Sequence, residues 1–127
     1  MYLQMLIVGV GGFVGAILRF ILSGWGNSLV ENGFPAGTFL VNVIGCFLLG
    51  TIYGTASQFT ASPNLKLFLA TGLLGALTTF STFSLETISL VQNSEFQKAL
   101  LNIIGSLVVG IAAGYAGIAL GRFFTAS

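Results

Sequence analysis

Residues 75–84 read GALTTFSTFS, with five hydroxyl side chains and two phenylalanines in ten positions. The run lies inside the third of four hydrophobic stretches. A lipid-facing surface gains nothing from so many hydroxyls, and a soluble catalytic loop is rarely flanked by so much Leu and Ala. Gly75 is a weak helix former, and the hydroxyls of Thr78 and Thr79 compete for backbone carbonyls, so the spacing predicts a break in the helix here. Inside a membrane a break is tolerated only where protein or a cavity covers it, and the carbonyls it frees suit a hard cation such as Na+. At 100° per residue, Phe80, Phe83, Ser84 and Thr87 share one face, Thr79, Thr82 and Glu86 a second, and Thr78 with Ser81 a third. An aromatic ring carries a positive edge. Ring edges beside hydroxyls form a weakly electropositive, uncharged lining, suited to a small anion that must leave again.

The rest of the chain places this segment in a membrane. Of 127 residues, 55% are hydrophobic and 6% charged, against about 25% charged in soluble domains; the mean hydropathy is +1.01. There is no His or Asp, and the acids are Glu31, Glu86 and Glu95. That inventory removes most metal sites, histidine bases and carboxylate pairs. The single Cys46 reads as a small packing residue. A net charge of +1 without a basic stripe argues against nucleic acid. The N-terminal MYLQMLIVGVGGFVGAILRFIL lacks a basic leader and a small-residue cleavage site, and reads as a retained first helix.

About 20 apolar residues span a bilayer core. The expectation is one four-helix transmembrane domain over residues 1–127, with spans at about 2–22, 35–57, 64–90 and 95–124. The first ends at the turn-forming SGWGN, the second opens on Pro35, the third follows a Ser62 cap and Pro63, and the fourth follows a capping box at Ser94–Gln97. Short connections make consecutive helices antiparallel. Glycines recur four apart at Gly11 and Gly15, Gly50 and Gly54, Gly110 and Gly114, and Gly117 and Gly121, which lets helix backbones approach in lipid. Four helices enclose no wide pore, so a homo-oligomer is expected. With the N-terminus inside, Lys66 and Arg122 lie inside and Arg19 and Lys98 outside; inversion exchanges the pairs. The positive-inside rule gives no preference, so both orientations and an antiparallel dimer are expected.

Polar residues within spans are functional candidates by default. Asn42 cannot satisfy its amide within its own helix, so it faces a helix partner, water or a ligand; interhelical bonding and pore lining both remain open. Thr38 and Gly45 share its face. On the fourth helix Asn102, Ser106, Gly110 and Gly114 form a second thin, partly polar stripe. Arg19 and Glu86 lie late in their spans, where the usual explanation is snorkelling to the interface; Arg19 alternatively attracts an anion in a vestibule.

Three segments, GGFVGAILRF (11–20), TFLVNVIGCFLLG (38–50) and GLLGALTTFSTFS (72–84), resemble in this order the signature segments of the CrcB/Fluc fluoride channels, and the resemblance extends over all four spans. It implies an all-α membrane protein of four helices per subunit with the third helix broken. It further implies an antiparallel dual-topology homodimer of the plasma (inner) membrane, with two fluoride pores, passive export of cytoplasmic fluoride and a central structural Na+. Carried onto this sequence, the pore residues are Asn42, Phe80 and Phe83, with Thr38, Ser81, Thr82, Ser106 and Arg19 along the polar track or vestibule. The Na+ falls to the backbone carbonyls of Gly75 and Thr78. The fourth helix departs from the pattern: Asn102 stands where some relatives carry Tyr, and Ser106 alone is assigned there. The main rival is a small dual-topology cation or drug antiporter, which wants a membrane-embedded carboxylate for coupling; the first helix carries none. A purely structural subunit leaves Asn42, Phe80 and Phe83 without a reason, and an enzyme lacks a His or Asp to activate a nucleophile.

Overall fold

Among the residues that the computed structural model describes, 1–55 and 62–125, four segments are long and apolar enough to cross a membrane: Tyr2–Ser28, Ala36–Gly54, Pro63–Gln92 and Phe96–Thr125. The first two are helices α1 and α2. The third divides into α3, comprising Pro63–Lys66, Leu67–Leu74 and Gly75–Leu77, and α4, Phe80–Gln92; α5 is Phe96–Thr125. The all-helical architecture with a broken third span is the one the sequence predicts.

The helix ends differ in instructive ways. SGWGN does not stop α1, which continues to Ser28. Ser23 and Ser28 donate back to the Arg19 and Trp25 carbonyls at 2.5 and 2.7 Å, so both hydroxyls are satisfied on the helix. Gly26 is buried where a Cβ would lie 2.8 Å from the Gly37 Cα, and Asn27 Oδ1 accepts the Gly37 N–H at 2.7 Å. The small residue serves a close crossing with the start of α2 rather than a turn. Pro35 is the residue just before α2, and its carbonyl accepts the Phe39 N–H at 3.1 Å; the expected end of this span at Ser57 lies outside the described residues. Ser62 stands at the start of α3, but its side chain makes no capping bond. The capping box at Ser94 is also corrected. Ser94 has φ of 61° and belongs to the end of α4, where its N–H reaches the Val91 carbonyl at 3.0 Å and the Glu95 N–H reaches Leu90 at 2.8 Å. This pair of bonds is a Schellman closure.

Between Leu67 and Leu74 the chain widens to π-helical bonding, with the Gly75 N–H reaching back five residues to the Ala70 carbonyl. This wide segment lies against α1. Gly11 and Gly15 are buried there, and a Cβ on Gly15 would drive into the Leu73 carbonyl. α2 packs most extensively on α5, where Gly50, Gly54, Gly117 and Gly121 bring the two backbones together. The fully interior apolar core is small, Val41, Leu74 and Leu77, while most other large apolar side chains face outward. Lipid rather than a protein core receives that surface, and close glycine packing supplies the association.

Candidate functional site

The break gathers the candidate residues. Thr78 and Thr79 both have extended backbone, at φ −80°, ψ 155° and φ −152°, ψ 115°. The Thr78 N–H and Oγ1 both donate to the Leu74 carbonyl, at 3.1 and 3.0 Å, which closes α3. Thr79 Oγ1 accepts the Thr82 N–H at 3.3 Å and so caps α4, donating in turn to Thr82 Oγ1 at 3.0 Å. Between these ends stands Asn42 of α2. Its Oδ1 accepts the Thr79 N–H at 2.8 Å, and its Nδ2 donates to the Thr79 carbonyl at 3.1 Å. One carboxamide therefore satisfies both backbone groups of Thr79, as buried backbone groups require. The amide nitrogen carries two hydrogens, and Thr79 takes one. Gly45, one turn along α2, has no side chain where Thr78 Cγ2 sits.

Asn42, Gly75, Thr78, Phe80, Phe83 and Ser106 line one cavity of about 330 Å³, whose remaining walls are apolar or small; among the described residues no charged side chain lines it. The Phe80 and Phe83 ring centroids are 5.7 Å apart with planes at 39°. Phe80 is 79% exposed, so its ring extends from the surface of the single chain. A second cavity of about 390 Å³ is lined by Arg19, Thr38 and Thr82. Thr79 lines both cavities and forms the wall between them. Ser81 lines neither; it is exposed on the first turn of α4, with its Oγ 3.3 Å from Thr79 Oγ1.

Two residues, Glu86 and Thr79, make contacts that spacing alone does not announce. Glu86 does not simply snorkel: Thr38 Oγ1 donates to its Oε1 at 2.9 Å, and its Oε2 is buried without a hydrogen-bond partner among the described residues. Glu86 faces a third cavity, of about 450 Å³, beside Asn27 and the α1–α2 connection. Spacing places Thr79 only on a face with Thr82 and Glu86. Its signal was the hydroxyl three residues before Thr82, an N-cap spacing.

The break presents opposite polarities side by side. Outside the bonding within the helices, no backbone N–H of the described residues reaches the carbonyls of Gly75 and Thr78, and they lie where the negative end of α3 falls. The first N–H groups of α4 carry the complementary positive end. No group of three or more acidic, His or Cys side chains gathers among the described residues.

The family model described as CrcB-like protein, Camphor Resistance (CrcB), matches residues 6–118. The chain belongs to the CrcB family. Relatives of this CrcB chain carry the name fluoride-specific ion channel FluC. One from Methanococcus aeolicus is 46% identical over 110 residues, covering 84% of this chain and 88% of its own. One from Oceanobacillus iheyensis is 45% identical over 122 residues, covering 94% and 92%. One from Shewanella sediminis is 48% identical over 114 residues, covering 90% and 92%.

Proposed function

We propose that this membrane protein is a fluoride-selective channel and not an enzyme, giving passive export of fluoride from the cytoplasm across the plasma (inner) membrane. The observation that carries the reading is the cavity at the break, where an amide N–H of Asn42, the hydroxyl of Ser106 and the rings of Phe80 and Phe83 meet without a charged side chain. Fluoride is small and tightly hydrated. A fixed cationic site would hold it, whereas conduction needs sites favourable enough to replace water and weak enough to release the ion. Amide and hydroxyl donors and ring edges supply such steps. Arg19, without an ion pair among the described residues, attracts the anion into the neighbouring cavity that Thr38 and Thr82 line; Thr79 lies between the two compartments, and Ser81 extends the hydroxyls of its cap. A cation antiporter would want its carboxylate in the central cavity, and Glu86 opens on a different one.

The working unit in this reading is an antiparallel homodimer with two pores, its subunits inserted in both orientations. The near balance of Lys66 and Arg122 against Arg19 and Lys98 supports it, as does the exposure of Phe80 and Gly75 beside the cavity. The unpartnered carbonyls of Gly75 and Thr78 fit a Na+ at the two-fold axis, because Na+ takes hard oxygen ligands and unwound backbone offers them. When bound, Na+ would contribute positive charge that holds the two breaks together.

Purified protein in sealed liposomes loaded with fluoride, followed by a fluoride electrode with a permeant counter-ion, tests the reading. Efflux above that of empty liposomes is expected, with chloride retained. Efflux no faster than the empty vesicles overturns conduction, and chloride leaving as fast as fluoride overturns selectivity. Phe83→Ile keeps bulk and removes the positive ring edge, so fluoride efflux should fall by about tenfold or more, a loss of about 1.4 kcal/mol at the barrier, in a protein that still assembles.

A further inference from the structure

Behind the cavity wall runs a hydrogen-bonded chain whose middle touches no part of the proposed conduction path. Asn102 of α5 is 1% exposed. Its Nδ2 donates to Thr87 Oγ1 at 2.9 Å, and Thr87 Oγ1 donates to the Phe83 carbonyl at 2.8 Å. At the other end, Ser106 Oγ donates to Asn102 Oδ1 at 3.5 Å. Phe83 and Ser106 line the cavity, whereas Asn102 and Thr87 do not. A hydroxyl has one hydrogen. Once Thr87 Oγ1 accepts from Asn102, its own hydrogen is left for the Phe83 carbonyl. Bonds of this kind to the carbonyl four residues back can bend a helix locally, and this one falls at the residue that carries the ring. α4 meets α5 over far less of its surface than α2 does, which leaves few other contacts to fix that position. The long bond from Ser106 is the weakest link, and Ser106 is the end of the chain that lines the cavity.

We infer that Asn102 is a positioning residue for Phe83, acting through Thr87 to hold the ring at the cavity wall; this rests on the fluoride-channel reading. Asn102 does not contact the ion.

The test uses the whole channel and two readouts. In liposomes, Thr87→Val and Asn102→Leu should each cut fluoride efflux by about tenfold, as loss of an interaction felt at the barrier does, while Thr87→Ser stays within about twofold of the unmodified chain. In a Phe83→Ile background neither change should cause a further loss, because residues acting as one unit are not additive. Separately, 4-fluorophenylalanine at position 83 should show a displaced fluorine-19 resonance in Thr87→Val and Asn102→Leu, and an unmoved one in Thr87→Ser. The resonance reports the ring whether or not the protein conducts, so a channel reading that fails leaves this result standing on its own. An unmoved resonance in Thr87→Val, or a further full loss in the Phe83→Ile background, overturns the inference. Thr87→Val is nearly isosteric and guards against an Asn102→Leu chain that does not fold.

Discussion

Asn42 illustrates how one side chain can carry a fold and a site together. The carboxamide bonds to both backbone groups of Thr79, and in the proposed channel the remaining N–H is the donor left for the anion. Asn42→Ala strands a buried donor and a buried acceptor at about 1–3 kcal/mol each. The variant should therefore lose stability to denaturant by about 2 kcal/mol or more as well as fluoride efflux. Ser106→Ala, whose hydroxyl makes only a long bond to Asn102, should slow efflux with stability nearly unchanged. Equal stability of Asn42→Ala and the parent chain, measured by unfolding in detergent, would show that the amide does not clamp the break. Asn42 was legible because an amide within a span must find partners beyond its own helix. Thr79 was harder to see, since its importance arises from the extended backbone that makes its N–H and carbonyl available. The role of Glu86 stays open in the sequence, because distance from the span end says nothing about which neighbour, here Thr38, a side chain meets.

At the scale of elements, the broken third span was readable from Gly75, Thr78 and Thr79, whose local preferences and final structure agree. The π-helical stretch was not: LFLATGLL reads as an ordinary apolar helix, and its widening is set against α1, where Gly11 and Gly15 admit the Phe68 and Leu73 carbonyls. The same tertiary origin explains SGWGN, whose glycines looked like a turn until Gly26 met Gly37. Ser94 shows the reverse error, a hydroxyl taken for a helix start that occupies a left-handed helix end. These packing roles divide the glycines of α1 sharply. Gly15 has no room for a methyl, whereas Gly9 has nothing within 4 Å. Gly15→Ala should collapse the yield of folded protein. Gly9→Ala should be neutral or stabilising by up to about 1 kcal/mol from helix propensity. Thermal unfolding of the two variants in one detergent checks this, and equal behaviour would mean that α1 does not seat on α3 through Gly15.

For the whole molecule, the question is how a chain with so little interior core reaches a stable, conducting form. Its outward apolar surface suits lipid, yet Phe80 and Gly75 lie at the surface beside the cavity at the break. An isolated subunit would expose the open carbonyls of the break to hydrocarbon, where an unsatisfied polar group costs several kcal/mol. In the proposed antiparallel dimer a second, inverted copy would cover them and place equivalent cavities on opposite sides of the axis. Inversion requires that insertion be unbiased, and the four basic residues, Arg19, Lys66, Lys98 and Arg122, divide evenly between the two ends of the spans. Adding three lysines after Ser127 should pull the C-terminus to the cytoplasmic side, since basic residues beyond the last span can set topology. Expressed alone, that variant should lose fluoride efflux. Three lysines in the connection after Gly54, which faces the same side as the C-terminus in the alternating topology, would repeat the bias, whereas three after Leu29 would reverse it. Coexpression of the C-terminal and Leu29 variants should restore efflux, with reporters placing their C-termini on opposite sides. Full efflux from a population uniformly oriented one way would overturn the antiparallel assembly, and failure of an oppositely oriented, well-expressed pair to recover conduction would do the same.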